Sequence, residues 1–220
     1  MVRKTVSIAM LGGVLASTGC IGVLHGDGGP MTSQTVSQTG YTEIDLRGSA
    51  DLIVKIGPEE SIQLDGNEDR VENVDITVED GVLVIREDGD GLFGHSNGDL
   101  TITVTAPSIT SVKLSGSGDI DITGAHGESF AAAINGSGDI DVSGEVDSAT
   151  LTIRGSGDIA AKGLKAKSVE VSISGSGDAD VFASDSIDAL IRGSGDITYY
   201  GGATKVKDKV QGSGDISAGK

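Results

Sequence analysis

The chain has 220 residues, 33 acidic and 16 basic side chains, a formal net charge of −17, no tryptophan and a single cysteine. That charge repels nucleic acid and anionic lipid headgroups, so neither is an expected ligand. One cysteine excludes an internal disulfide, and a chain of this length, which holds one domain, must draw its stability from packing rather than from cross-links.

Arg3 and Lys4 precede a mostly apolar stretch, Thr5 to Leu15, followed by Ala16-Ser17-Thr18-Gly19-Cys20, an order that predicts an export signal over residues 1–19. The apolar run is too short to span a bilayer. It ends on the lone cysteine, and the segment resembles a lipobox in which Ser17 stands where leucine is usual. Cys20 is therefore the expected lipidation site; a signal cut elsewhere would leave a soluble secreted chain. Cleavage after residue 19 removes two of the 16 basic side chains and none of the 33 acidic ones, which brings the net charge near −19. Such a surface suits divalent cations, basic partners or simple solubility. Residues 20–40 are rich in Gly, Ser, Thr, Gln and Asp, the composition of a flexible tether.

From Tyr41 onward, alternating segments such as Ile44-Asp45-Leu46, Leu52-Ile53-Val54-Lys55-Ile56 and Leu100-Thr101-Ile102-Thr103-Val104 are separated by Gly, Asn, Asp or Pro and read as strands. No segment beyond the leader has a helical period. Gly-Ser-Gly-Asp then recurs six times, from Gly116, Gly136, Gly155, Gly175, Gly193 and Gly212, in steps of 20, 19, 20, 18 and 19. A fixed period of this size marks units that bury their apolar faces only by stacking. The expected fold is all-β: a single-stranded-type parallel β-helix, or solenoid, over residues 41–220, with regular coils of about 19 residues from 111 to 216. Aligned on the motif, Leu114, Ile134, Ile153, Ile173, Ile191 and Val210 form one apolar column, and Ile120, Ile140, Ile159, Ala179, Ile197 and Ile216 another. Alternation places both columns inward, together with Val112, Ala132, Leu151, Val171 and Ala189. Gly48-Ser49-Ala50-Asp51-Leu52 fits the same columns and marks an earlier coil. In the last unit Asp208 falls in an inward column among Lys205, Lys207 and Lys209, so this coil is expected to fray.

Stacking also aligns Asp119, Asp139, Asp158, Asp178, Asp196 and Asp215. Carboxylates about 4.8 Å apart repel by roughly 1 kcal/mol at the dielectric of water. Either turn amides or a bound cation must offset this. Calcium wants six to eight oxygens, whereas each coil supplies one motif Asp, in places joined by Asp121, Asp141 or Asp180. The expectation is turn chemistry, with no cofactor beyond weak calcium binding.

The strand and turn Ile44-Asp45-Leu46-Arg47-Gly48, the segment Gly81-Val82-Leu83-Val84-Ile85, Ala106-Pro107 before Ser108-Ile109-Thr110-Ser111-Val112, and the repeated Gly-Ser-Gly-Asp together resemble the "putative auto-transporter adhesin, head GIN domain" family. The resemblance covers about residues 41–216 and implies a pectin-lyase-like β-helix, commonly exported or lipid-anchored, that serves in cell adhesion without an established catalytic site.

The leading functional reading is thus a non-catalytic, exported cell-envelope adhesin or binding module, an outer-membrane lipoprotein or periplasmic protein, with an unidentified protein or glycan partner at the cell surface and membrane contact through the lipid alone. Its expected contact patch is Phe182 and Tyr200, in an outward column with Thr123, Ser143 and Lys162. The alternatives are a calcium-dependent structural or assembly module and a polysaccharide-active enzyme. An enzyme fits the composition poorly: His25 lies in the tether, His95 and His126 in loops, and no Ser-His-Asp or metal-ligand spacing occurs. Paired carboxylates on a repeated turn are a poor catalytic site, since a unique site breaks a repeat rather than following it.

Overall fold

The computed structural model describes residues 30–87 and 99–220. The expected signal, Cys20, His25 and His95 lie outside the described residues. The elements run in chain order as β1 (Met31–Val36), β2 (Glu43–Gly48), β3 (Asp51–Ile56), β4 (Ser61–Asn67), α1 (Glu68–Glu72), β5 (Val74–Glu79), β6 (Val82–Glu87), β7 (Leu100–Ala106) and β8 (Ser111–Gly116). The repeats follow as β9 (Ile120–Gly136), β10 (Ile140–Gly155), β11 (Ile159–Gly175), β12 (Ala179–Gly193), β13 (Ile197–Tyr200), β14 (Lys205–Gly212) and β15 (Ile216–Ala218).

Two ladders enclose the core. One runs β5-β6-β2-β8 and continues through the second halves of β9 to β12 into β14. The other runs β1-β4-β7-β3, then through the first halves of β9 to β12 into β13 and β15. Pairing within the repeats is parallel and keeps like residues opposite: Ile140 faces Ile120 and Ile159, and Ile153 faces Ile134 and Ile173. This is the solenoid that the repeat predicts. Gly48 pairs with Gly116 and Leu52 with Ile120, so the Gly48-Ser49-Ala50-Asp51 coil is the first of the turn stack, as its columns imply.

The inward columns are buried from Val112, Leu114 and Ile120 to Ile191 and Ile197. Two further columns complete the core. Ile122, Val142, Ala161 and Val181 lie two residues beyond the Ile120 column, and Phe130, Ala149, Val169 and Ile187 two residues before the Ala132 column.

Where a loop is expected between the two strands of a coil, one strand runs on through a bend. Every register shift between neighbouring repeats falls there, at Ser143/Gly144 against β9, at Asp141/Gly144 against β11, and between Ala161 and Ser168 against β12. The differences in coil length are absorbed at this corner, while the turn and both ladders stay aligned.

Three expectations change. The tether does not extend through residues 31–36: they form β1, antiparallel to β4, with Thr32, Gln34 and Val36 half-buried on one side. Their strict alternation outweighs their polar composition, because Thr and Val suit a half-covered strand. The start of the stack keeps parallel pairing, β6 with β2 and β7 with β3, but adds a cap that the columns do not show: β4 and β5 run antiparallel to their neighbours, and α1, whose side chains Arg70 and Val71 are buried, contacts β4 and β1. The last coil is not frayed. β14 pairs with β12 over eight residues, and Asp208, opposite Ala189, is exposed, because no further coil among the described residues covers it. The burial cost that predicts fraying therefore does not arise.

Candidate functional site

The Gly-Ser-Gly-Asp turn is built by hydrogen bonds between coils. Each motif Ser amide donates to the first Gly carbonyl of the preceding coil, as Ser137 does to Gly116 at 3.0 Å and Ser176 to Gly155 at 2.9 Å. Backbones this close leave no room for a side chain. A Cβ at Gly177 would overlap the carbonyl oxygen of Gly157, and Gly175 holds φ at +147°, a conformation L side chains rarely adopt.

Each motif Asp amide donates to the Oδ1 of the Asp one coil earlier: Asp139 to Asp119 at 2.9 Å, Asp158 to Asp139 at 2.8 Å, and Asp178, Asp196 and Asp215 to Asp158, Asp178 and Asp196, each at 2.7 Å. A charge-assisted bond from a main-chain amide is stronger than a neutral one. The column thus carries its own compensation for the repulsion between carboxylates.

At the start of the stack, Asp51, Asp119, Asp121, Asp139 and Asp141 line a shallow cleft of about 320 Å³. Asp121 and Asp141 are register partners, and the Asp141 carboxyl is raised above the usual aspartate range, first by desolvation and then by the charge of Asp121. Among the described residues no three His, Cys, Asp or Glu side chains converge in a way that could hold a metal ion. His126 is exposed, with Nδ1 3.1 Å from the Gly124 carbonyl oxygen.

Phe182 and Tyr200 are register partners on adjacent coils, as the repeat predicts. Each ring carries a lysine over one face. Lys165 Nζ lies 3.9 Å from the Phe182 centroid, Lys162 Nζ lies 3.7 Å from that of Tyr200, and both aromatics are half-buried. Reading the outward column as separate residues conceals that lysine stems reach across coils to the rings.

The sequence reading misses a groove of about 470 Å³ that crosses four coils on the far side of the bend. Its wall is a column of Ser148, Ser168, Ser186 and Lys205, and its outer row is Thr150, Glu170, Asp188 and Lys207. Lys207 Nζ bonds Asp188 Oδ2, and Ser186 Oγ bonds Ser168 Oγ at 2.9 Å. The signal is present in the sequence. Counted forward from a motif the serines scatter, because coil length varies in between; counted backward, Ser129, Ser148, Ser168 and Ser186 each stand seven residues before the next motif.

A crystal structure of a putative adhesin from Bacteroides fragilis is similar over 86% of this chain and 97% of its own, with 23% identity and a TM-score of 0.72. Two proteins from Parabacteroides distasonis, described as a putative adhesin and a putative lipid binding protein, each match over 87% of this chain and 98% of their own. Their identities are 21% and 22% and their TM-scores 0.56 and 0.55. Likeness at this identity shows a shared fold. No match was found among curated proteins. The family described as "Putative auto-transporter adhesin, head GIN domain" matches residues 40–203, through the cap, the turn stack and the serine-walled groove, and the chain belongs to it.

Proposed function

We propose that this protein is an exported, non-catalytic binding module of the cell envelope, an adhesin anchored through Cys20 that recognises an extended protein or glycan along the serine-walled groove. The observation that carries this reading is the division of labour among its repeated polar groups. The motif carboxylates are engaged between coils, and the serine hydroxyls are held in place, Ser148 by the Glu128 carbonyl and Ser186 by Ser168, whereas the Thr150 and Glu170 side chains beside them are exposed at the coil spacing. A rigid array of this kind suits a partner that is itself extended and repetitive. Family membership and the naming of its structural relatives as adhesins support a surface role.

The test is binding to arrays of glycans and extracellular proteins by the purified protein and by T150R/E170R. Binding that falls about tenfold with unchanged thermal unfolding supports the groove, since blocking a central contact costs on the order of 1–2 kcal/mol. Binding untouched by both changes, or release of cleaved glycan, overturns it. Replacement of Cys20 by Ser, with the protein moving from the membrane to the soluble fraction, tests the anchor separately.

A second reading, a weak calcium-dependent assembly module, is favoured by the facing carboxylates of Asp121 and Asp141.

A further inference from the structure

We propose that copies of this chain associate head to tail, with the β14 edge of one copy against the β5 edge of the next. This goes beyond adhesion, and its β14 edge shares Lys205 and Lys207 with the end of the groove. Among the described residues, β5 and β14 are the two outermost strands of one ladder: β5 pairs only with β6, and β14 only with β12. Each therefore has one side whose main-chain groups form no ladder bonds, a ready template for another strand.

The two edges match in pattern and differ in sign. On β14, Lys205, Lys207 and Lys209 alternate with Val206, Asp208 and Val210, of which the valines are 41% and 39% exposed; Lys205 and Lys207 hold exposed ion pairs with Asp185 and Asp188 of β12 that association must share. On β5, exposed Asp75 and Glu79 alternate with half-buried Val74, Ile76 and Val78. Laying β5 on β14 sets Val206 and Val210 beside valine or isoleucine and covers Asp208 between them, a cost the contact must offset, while on the outer side lysine meets carboxylate. Pairing β14 with itself would oppose lysine to lysine, and pairing β5 with itself would oppose carboxylate to carboxylate, both destabilising. The charges thus disfavour like-end contacts and favour the unlike one. A single side chain occupies part of the β5 edge: Gln38 Nε2 donates to the Ile76 carbonyl at 3.3 Å, a bond that must be exchanged on association.

The net charge of −17 does not forbid this. It is spread along a ladder of nine strands, about 40 Å, while screening at physiological salt acts over about 8 Å. Body-to-body repulsion is damped, and the charges that meet are those at the ends. A contact between unlike ends does not close on itself, so the product is a linear stack rather than a defined dimer.

Sedimentation velocity across a concentration series tests the proposal. Two charge-reversed proteins are compared with the parent: K205E/K207E/K209E, acidic at both ends, and D75K/E79K, basic at both. The parent is expected to grow in mass without a limit at two copies, and to do so less at high salt. Each variant alone should associate about tenfold more weakly, and their equimolar mixture should recover association. Circular dichroism identifies any variant that fails to fold, in which case the neutral pair K207Q/K209Q and D75N/E79Q takes its place, with partial loss expected from each. A parent that stays at one copy overturns the proposal and leaves the β14 edge to a separate acidic partner. So does association that stops at two copies and ignores D75K/E79K, which would mark a dimer through β14, and so does a mixture of folded variants that recovers nothing.

Discussion

Glu87 and Arg70 meet at 2.6 Å directly beneath the first turn of the stack, where the Glu87 Oε1 accepts the main-chain amides of Ser49 and Ala50. In every later coil a Gly carbonyl of the coil before receives the Ser amide; at the first coil a side chain from β6 supplies the acceptor. Arg70 also bonds Ser49 Oγ at 3.1 Å, which ties α1 to the same point.

Removal of this acceptor should loosen the start of the solenoid. Glu87→Ala strands the amide of buried Ala50, frees that of exposed Ser49 to water and removes the ion pair with Arg70, and is expected to cost about 2 kcal/mol, the scale of one buried donor left unsatisfied. Glu87→Gln retains an oxygen and should cost less. Urea unfolding measures both, and hydrogen exchange should show the loss concentrated at residues 48–51.

A methyl group inside the turn stack should be far more damaging than its small size suggests. Gly177→Ala puts Cβ against the Gly157 carbonyl, and a loss of at least about 3 kcal/mol is expected, the scale of backbone strain rather than of lost entropy. Ala50 is the natural control. It occupies the second Gly position of the first coil and is fully buried, and its amide donates to the Glu87 carboxylate, the end of a flexible side chain. Ala50→Gly should therefore bring no gain from relieved crowding.

The Asp ladder should tolerate amides better than methyls. Asn at position 158 still accepts from the Asp178 amide and removes a charge from the column, so D158N should match or exceed the parent in stability. D158A loses that acceptor and should cost about 1 kcal/mol. Unfolding in chelator and in millimolar calcium completes the measurement. Near-identical midpoints are expected, and a calcium-selective rise that D158N and D178N abolish would instead make the column a cation site.

The acidic cleft predicts a pH dependence of opposite sense to ordinary acid denaturation. The folded-state pKa of Asp141 is raised, so in the window above the usual aspartate value the folded state holds more protons at this site, and its contribution to stability falls as pH rises. Asp141→Asn should raise the melting temperature at neutral pH, and the gain should vanish below the usual aspartate range, where Asp141 is protonated in both states. A gain that persists at low pH would show that the substitution acts by some other route.

The repeat reveals the solenoid because parallel stacking forces like residues into register: Ile134, Ile153 and Ile173 could be placed in one buried column without any structure. The cap was not legible in the same way. β1, β4 and β5 occur once each, so no alignment exposes their partners, and Thr32, Gln34 and Val36 look like tether until β4 lies beside them. The functional surface was half legible. Phe182 and Tyr200 are adjacent as counted, but column counting does not show that Lys162, of the same column, reaches across a coil to Tyr200, or that Lys165 reaches Phe182 from the coil before. The groove was hidden because the backward count stopped at the apolar column four residues before each motif, short of the serines at seven.

The corner that absorbs the register shifts behaves as a slip joint. Coils of 18 and 20 residues coexist because the surplus is taken up in one short stretch, around 143–144 in one coil and 161–167 in the next, leaving the turn and the groove wall in phase on either side. A few residues added at that stretch would leave neighbouring ladders aligned, whereas one residue added between Ser148 and Gly155 would turn every following side chain of that strand to the opposite face. Change in this protein is thus channelled to a single edge of the rod. That edge is where a family of such solenoids can acquire loops of new sequence, and where a foreign peptide can be displayed at regular intervals without disturbing the surfaces that bind.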